Sequence, residues 1–65
     1  MKKTNFLLAF WDGDNSLFEL NFELPNSVNP AAFLSQVFPD YCVEYIDYSK
    51  KYINLGLCHG EKEVR

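Results

Sequence analysis

The side chains in this sequence that could do chemistry are two cysteines, one histidine and a set of acids. A hairpin turning near Lys50 would bring Cys42 and Cys58 opposite each other, with His59 next in the chain. A structural zinc site needs four ligands at a recognisable spacing, and no C-x-x-C pair is present. Adjacent residues on a strand point to opposite faces, which separates Cys58 from His59 as a nucleophile pair. The sequence therefore predicts no metal site and no catalytic cysteine.

The acidic segment that begins at Asp12 has a partial calcium-loop pattern. Asp14 and Ser16 would take the third and fifth ligand places, and Glu23 the last. Leu17, however, occupies the place that needs glycine, and Glu23 falls in an alternating strand pattern. A hairpin turn explains the segment better. Pairs of carboxylates could do acid–base work, but a chain of 65 residues has little room for a pocket. We expect neither a cofactor nor an enzymatic activity.

The cysteine content and the first residues of the chain indicate its compartment. Small secreted domains usually carry four or more cysteines, whereas this chain has two. The apolar segment 6–11 is too short for a signal-peptide core, and Asp12 ends it. No apolar run approaches the roughly 20 residues that cross a membrane. The sequence predicts a mature, soluble, cytoplasmic protein that does not associate with membranes, in which both cysteines are reduced and half-buried.

Charge is distributed unevenly along the chain. The net charge is −3, and no lysine or arginine occurs from Thr4 to Ser49. The same stretch carries seven acids: Asp12, Asp14, Glu19, Glu23, Asp40, Glu44 and Asp47. Nucleic-acid binding needs a basic patch for the phosphates, so direct binding to nucleic acid is not expected.

Periodicity predicts four strands and one helix. Strands are expected at 4–11, 16–24, 41–48 and 52–58, because these segments are rich in β-branched and aromatic residues or alternate with a period of two. A helix is expected at 30–38, since Asn29 is a good N-cap and Pro30 suits the first helical position. We expect Gly13 to supply a positive φ in the first hairpin turn.

These elements predict an α+β fold of the order β-β-α-β-β. The whole chain, 1–65, would form a single domain, with an antiparallel sheet, one short helix packed on one face, and a frayed charged tail at about 60–65. Periodicity does not decide whether the second hairpin lies beside the first or between its strands.

The face of the sheet away from the helix does not follow a simple polar pattern. The first strand offers Leu7, Ala9 and Trp11 to that face. The third strand is mixed, with Val43 and Tyr45 predicted on one face and Ile46 and Tyr48 on the other. An apolar patch rimmed by charge is typical of a protein contact. Alternatively, these residues pack under the tail or line the sheet edge.

The function predicted from these features is binding. The chain would be a small acidic intracellular protein that inhibits or modulates a larger protein with a basic surface, such as a nucleic-acid enzyme, by charge mimicry. Trp11, Tyr45 and Tyr48 would anchor the contact. The acids of the predicted site are Asp12, Asp14, Glu19, Glu23, Glu44 and Asp47. Phage and mobile elements often encode such proteins. A homodimeric structural or assembly module is the alternative.

Overall fold

The computed structural model describes residues 2–58 and shows a four-stranded sheet with one short helix. The elements in chain order are β1 (Lys3–Asp12), β2 (Asn15–Pro25), α1 (Pro30–Val37), β3 (Tyr41–Asp47) and β4 (Tyr52–Leu57). The α+β class is thereby confirmed, with one short helix within residues 2–58. His59 and the charged tail predicted at 60–65 lie outside the described residues.

The strands lie in the order β2-β1-β4-β3, so the second hairpin sits beside the first. Both hairpins are antiparallel, but β1 and β4 pair in parallel, and the prediction of a fully antiparallel sheet is wrong. Because β3 runs opposite to β4, the sheet would be fully antiparallel only if β3, and not β4, lay beside β1. Instead β4 brings Ile53 and Leu55, both fully buried, into the middle of the sheet. The less apolar β3, which carries the exposed Cys42 and Glu44, is left at the edge.

The core lies between the sheet and α1. Its buried side chains are Phe6, Leu8, Phe10, Leu24, Leu34, Ile53 and Leu55. Phe10 lies at the centre of a ring cluster, stacked on Phe18 with centroids 4.4 Å apart. Phe38 and Tyr41 meet the same ring edge-on at 5.0 and 4.9 Å. Edge-on and offset-stacked contacts are the arrangements that aromatic rings prefer, so this cluster fixes the packing around β1.

The helix α1 begins as the sequence predicts. The Oδ1 atom of Asn29 accepts hydrogen bonds from the backbone N–H groups of Ala31 and Ala32, at 2.9 and 3.2 Å. These bonds satisfy two donors that have no partner inside the helix. The helix has eight residues and buries only Leu34 completely. At a rise of 1.5 Å per residue it spans about 12 Å, so it covers only part of a sheet whose longest strands exceed 30 Å.

A bulge at Glu44 explains the mixed pattern of β3. Val43 lies opposite Leu55 and Tyr45 lies opposite Asn54, so two residues of β3 advance while β4 advances by one. Val43 and Tyr45 therefore point to opposite faces, and the prediction that they share one is wrong. After the bulge, Ile46 returns to the helix side, where it packs on the core. A β-bulge shifts the alternation by one residue in this way.

The two cysteines form a disulfide, Cys42–Cys58, with Cα atoms 5.5 Å apart. The prediction of reduced thiols is wrong in this structure. The bridge joins the beginning of β3 to the residue after β4, which the antiparallel hairpin brings together. It closes the open end of the second hairpin.

Candidate functional site

The face of the sheet opposite α1, here called the open face, has a stripe of mostly apolar residues along its centre. Leu7 and Ala9 of β1 lie beside Tyr52 and Asn54 of β4 in the parallel register. Trp11 follows at the level of Gly56, where the two strands part. Ala9 and Gly56 are buried although the helix of the described residues lies on the other face.

Polar side chains from the two edge strands flank this central stripe. On β2, Glu19 lies opposite Ala9 and Glu23 lies opposite Asn5. On β3, Tyr45 lies opposite Asn54 and is 54% exposed. Neighbouring strands are about 4.8 Å apart, so the two flanking rows are separated by about 14 Å. The open face thus presents an apolar centre between polar edges, the arrangement typical of protein interfaces.

Glu44 reaches from the edge strand toward the centre of the open face. A methyl group built on Gly56 would overlap the Glu44 carboxylate, so that carboxylate lies directly over the glycine. The bulge places Glu44 where it can cross its neighbouring strand, and the missing side chain at Gly56 leaves the space. Because Gly56 pairs with Trp11, the Glu44 carboxylate lies near Trp11 in the centre of the open face and not at its edge.

Two buried polar atoms on the open face have no hydrogen-bond partner. They are the indole Nε1 of Trp11, a donor, and Oδ1 of Asn54, an acceptor. The register makes these two residues diagonal neighbours on the same face. Folded proteins leave few such atoms unpaired, and each costs about 1–3 kcal/mol. Among residues 2–58, these unpaired atoms occur only here, in the middle of the candidate site.

Asp47 has a structural role that the sequence analysis missed. Its Oδ1 atom accepts hydrogen bonds from Ser49 Oγ at 2.7 Å and from the Lys50 backbone N–H at 3.1 Å. Its Oδ2 atom accepts a longer bond from the Tyr45 hydroxyl, at 3.4 Å. The Ser49 hydrogen bond is the main cause that lowers the pKa of Asp47, followed by the Lys50 N–H. Asp47 thus holds the turn between β3 and β4, and an aspartate two residues before Ser-Lys was the readable signal.

The structure brings together only part of the predicted site. Trp11, Glu19, Glu23, Glu44, Tyr45 and Asp47 belong to the open face. Asp12 and Asp14 lie at the tip of the first hairpin, around Gly13 with φ of 61°. This φ confirms the role predicted for Gly13.

Tyr48 lies on the other side of the sheet. Its ring meets that of Phe6, a core residue, edge-on at 6.3 Å. Tyr48 therefore cannot anchor the same contact as Trp11. Tyr52 and Asn54, by contrast, were not among the predicted site residues, although the alternation of Ile53 and Leu55 already placed them away from the helix.

Residues 2–58 contain no group of three or more His, Cys, Asp or Glu side chains arranged to hold a metal ion. None of their helices is long and apolar enough to cross a membrane.

Comparison with known proteins gives no match to a protein family, a curated protein or a solved structure. The functional argument therefore rests on the geometry of the open face.

Proposed function

We propose that this protein binds a basic surface of a larger protein through its open face and thereby inhibits or modulates that protein. The observation that carries the proposal is an apolar stripe between acids, in a chain with no lysine or arginine from Thr4 to Ser49. The acids would attract the partner at long range and increase the rate of association. Trp11 and Tyr45 would supply the apolar contact that holds it.

Charge mimicry of a nucleic acid is the mechanism that suits such a surface. A nucleic-acid enzyme uses lysine and arginine to hold phosphates, and the same side chains can pair with carboxylates. The backbone that carries Glu19, Glu23 and Glu44 is held in a sheet, so it needs no ordering when a partner binds. Asp12 and Asp14 extend the acidic surface at the hairpin tip.

The test is a pull-down from native lysate with the tagged protein, repeated with three variants. Two of them each remove one charge, and the third, Tyr45→Ala, removes an exposed ring of the open face. Glu19→Gln changes the open face, and the matched control Asp40→Asn removes an exposed acid between α1 and β3. Bound proteins are identified by mass spectrometry after washes at low and high salt. We expect one stoichiometric basic partner that is lost at high salt, because salt screens contacts between exposed charges.

The variants decide whether the open face is used. The proposal requires Glu19→Gln and Tyr45→Ala to weaken capture while Asp40→Asn does not. Equal capture by all the variants would sink it, as would a partner that resists high salt and has no basic surface.

A homodimer formed through the edge strand β2 is a second candidate. This edge strand has 11 residues and carries the exposed Leu17 and Phe18, at 45% and 46% exposure. Unpaired edge strands of this kind can pair with another copy. An antiparallel pair centred on Asn21 would put Glu19 opposite Glu23 of the other copy, a like-charge contact that is unfavourable. Sedimentation equilibrium tests this candidate, which predicts a dimer that Leu17→Lys disrupts.

A further inference from the structure

A cleft of about 300 Å³ opens on the helix side of the sheet, away from the open face. It exists because α1 covers only part of the sheet and leaves the end near the start of β1 exposed. The core residues Phe6 and Leu24 line the bottom of the cleft, and Val28 and Pro30 line its side. Its size is at the lower end of the range of small-molecule sites, and its lining is mainly apolar.

The wall of the cleft is held in place by hydrogen bonds. Thr4 Oγ1 donates to Asn26 Oδ1 at 2.6 Å, and the Asn26 backbone N–H donates to the Lys2 carbonyl at 3.0 Å. Pro25 and Pro30 fix the backbone at either end of the connecting loop. Asn26 lines the cleft, and its side-chain amide also carries two N–H donors. A cleft that is fixed before a ligand arrives loses little entropy when the ligand binds.

The parallel pairing of β1 and β4 makes this end of the molecule basic. Lys2 and Lys3 come at the start of β1, and Lys50 and Lys51 come just before the start of β4. Because the two strands run side by side in the same direction, both lysine pairs lie at the same end of the sheet. They are all the basic residues of the part of the chain that the structure describes. Among residues 2–58, no acidic residue lines the cleft, whereas Lys51 does.

Lys51 lies in a backbone conformation that normally favours glycine. Its φ is 56°, and it is the one non-glycine residue with positive φ among residues 2–58. Its carbonyl accepts a hydrogen bond from the Leu7 N–H at 2.9 Å, which fixes the turn against β1. A side chain in the left-handed region costs about 1–2 kcal/mol, a cost that glycine would avoid. Residues with a strained backbone are often found at functional sites, where the side chain has a role.

We propose that the cleft binds a carboxylate that is attached to a single apolar or aromatic group. The apolar group packs against Val28 and Pro30, above the buried Phe6 and Leu24. The carboxylate pairs with the Lys51 ammonium at the rim, where Tyr48 and Asn26 can donate further hydrogen bonds. Both a free organic acid and the C-terminal residue of a peptide have this chemistry. The site is independent of the open face, so its failure would leave the proposed function untouched.

The test is a titration of the ¹⁵N-labelled full chain followed by ¹H–¹⁵N NMR spectra. The probes are 4-phenylbutanoate for a free acid, N-acetyl-phenylalanine for a peptide C-terminus, and 4-phenylbutan-1-ol for the same apolar group without charge. We expect shifts of the amides of Thr4, Asn26 and Lys51 with at least one acid. We expect the alcohol to bind at least about tenfold more weakly, because it lacks a charge-assisted hydrogen bond. Whichever acid binds more tightly identifies the source.

Two matched substitutions assign the charge. Lys51→Asn removes the ammonium and puts in a residue that tolerates positive φ, so the turn is kept. Lys50→Asn removes the same charge at the neighbouring residue, which does not line the cleft. The proposal expects about a tenfold loss of affinity for Lys51→Asn and little change for Lys50→Asn. Tyr48→Ala, at a residue that is 60% exposed, should also weaken binding without unfolding the chain.

Three results would overturn the proposal. One is the absence of localised shifts with either acid. Another is equal affinity for the acids and the alcohol. The third is an equal loss of affinity in the two lysine variants, which would mean that the net charge of this end, and not Lys51 itself, attracts the acid.

Discussion

At the scale of single residues, Asp47 is an acid of the open face whose hydrogen bonds stabilise the fold. The sequence predicts it as one of six acids that supply charge to a binding surface. The structure turns its carboxylate toward Ser49 and the Lys50 N–H, so it holds the second hairpin turn. Its Oδ1 atom is therefore less available to a partner than the carboxylate of Glu19 or Glu23.

The lowered pKa of Asp47 predicts how stability changes with pH. A carboxyl group whose pKa is lower in the folded state stabilises the fold above its ordinary pKa, near 3.8, and loses this effect as the pH falls through the folded value. Asp47→Ala should therefore destabilise the protein at pH 7 and have a smaller effect near pH 2. Urea unfolding at the two pH values measures this, with Asp40→Ala as the control. An equal loss at both pH values would contradict the prediction.

Gly56 and Glu44 form a pair that can be tested by a double-mutant cycle. The methyl group of Gly56→Ala would occupy the position of the Glu44 carboxylate. That carboxylate is the end of a flexible side chain, so it should move away at a modest cost. We expect Gly56→Ala to be less costly in a Glu44→Ala background, with a coupling of about 1 kcal/mol. Chemical denaturation of the four proteins measures the coupling, and a value of zero would mean that the two groups do not meet.

At the scale of elements, α1 depends on its first turn and on Leu34. A helix of eight residues is not stable alone in water, so the cap and the packing have to supply its stability. Asn29→Ala removes the acceptor for two backbone donors and should destabilise the protein by about 1 kcal/mol. Thermal unfolding checks this against Ser27→Ala, an exposed change outside the cap. If the two variants melt together, the cap is not contributing.

The elements were predictable because each is specified by neighbours in the sequence. The alternation from Phe18 to Leu24 specifies β2, and Asn29 with Pro30 specifies where α1 begins. The bulge at Glu44 was not predictable, because it depends on which residue of β3 meets Leu55 across the sheet. The positive φ of Lys51 was hidden for a related reason, since no glycine or asparagine marks that turn.

At the scale of the whole molecule, the arrangement of the two hairpins could not be read from either hairpin alone. Parallel pairing of β1 with β4 depends on contacts such as Leu8 with Ile53, which are distant in sequence. The same dependence on contacts distant in sequence limited the prediction of the candidate site. The alternation along β1 and β4 already puts Leu7, Ala9 and Tyr52 on the face away from the helix. That the two strands lie side by side there follows only from this pairing.

The disulfide is the main covalent constraint on the whole molecule. It links residues 16 apart, and closing a loop of this length is worth about 3 kcal/mol in the chain-entropy description. We expect the double variant Cys42→Ser/Cys58→Ser to be less stable by about that amount in urea. Adding a reductant should destabilise the original chain and leave the double variant unchanged. Equal sensitivity of both proteins to the reductant would contradict this assignment.

The bridge also bears on where the protein acts. Persistent disulfides are typical of oxidising compartments and uncommon in the cytoplasm, which is the location predicted from the sequence. The disulfide and a cytoplasmic location are compatible only if the protein functions without the bridge in a reducing environment. Alkylation of free thiols in intact cells measures whether Cys42 and Cys58 are oxidised. Oxidised cysteines would favour an oxidising compartment, and reduced cysteines the cytoplasm.

The parallel contact between the first and last strands has a consequence for synthesis. On the ribosome β1 is made before the other three strands, and β4, its second neighbour in the sheet, is made after them. Until β4 emerges, the nascent chain can form the first hairpin but not the centre of the sheet, and one edge of β1 stays unpaired. Contacts between distant residues also form slowly. Folding should therefore be completed only after β4 has emerged, and until then β1 is the segment that a chaperone would have to shield.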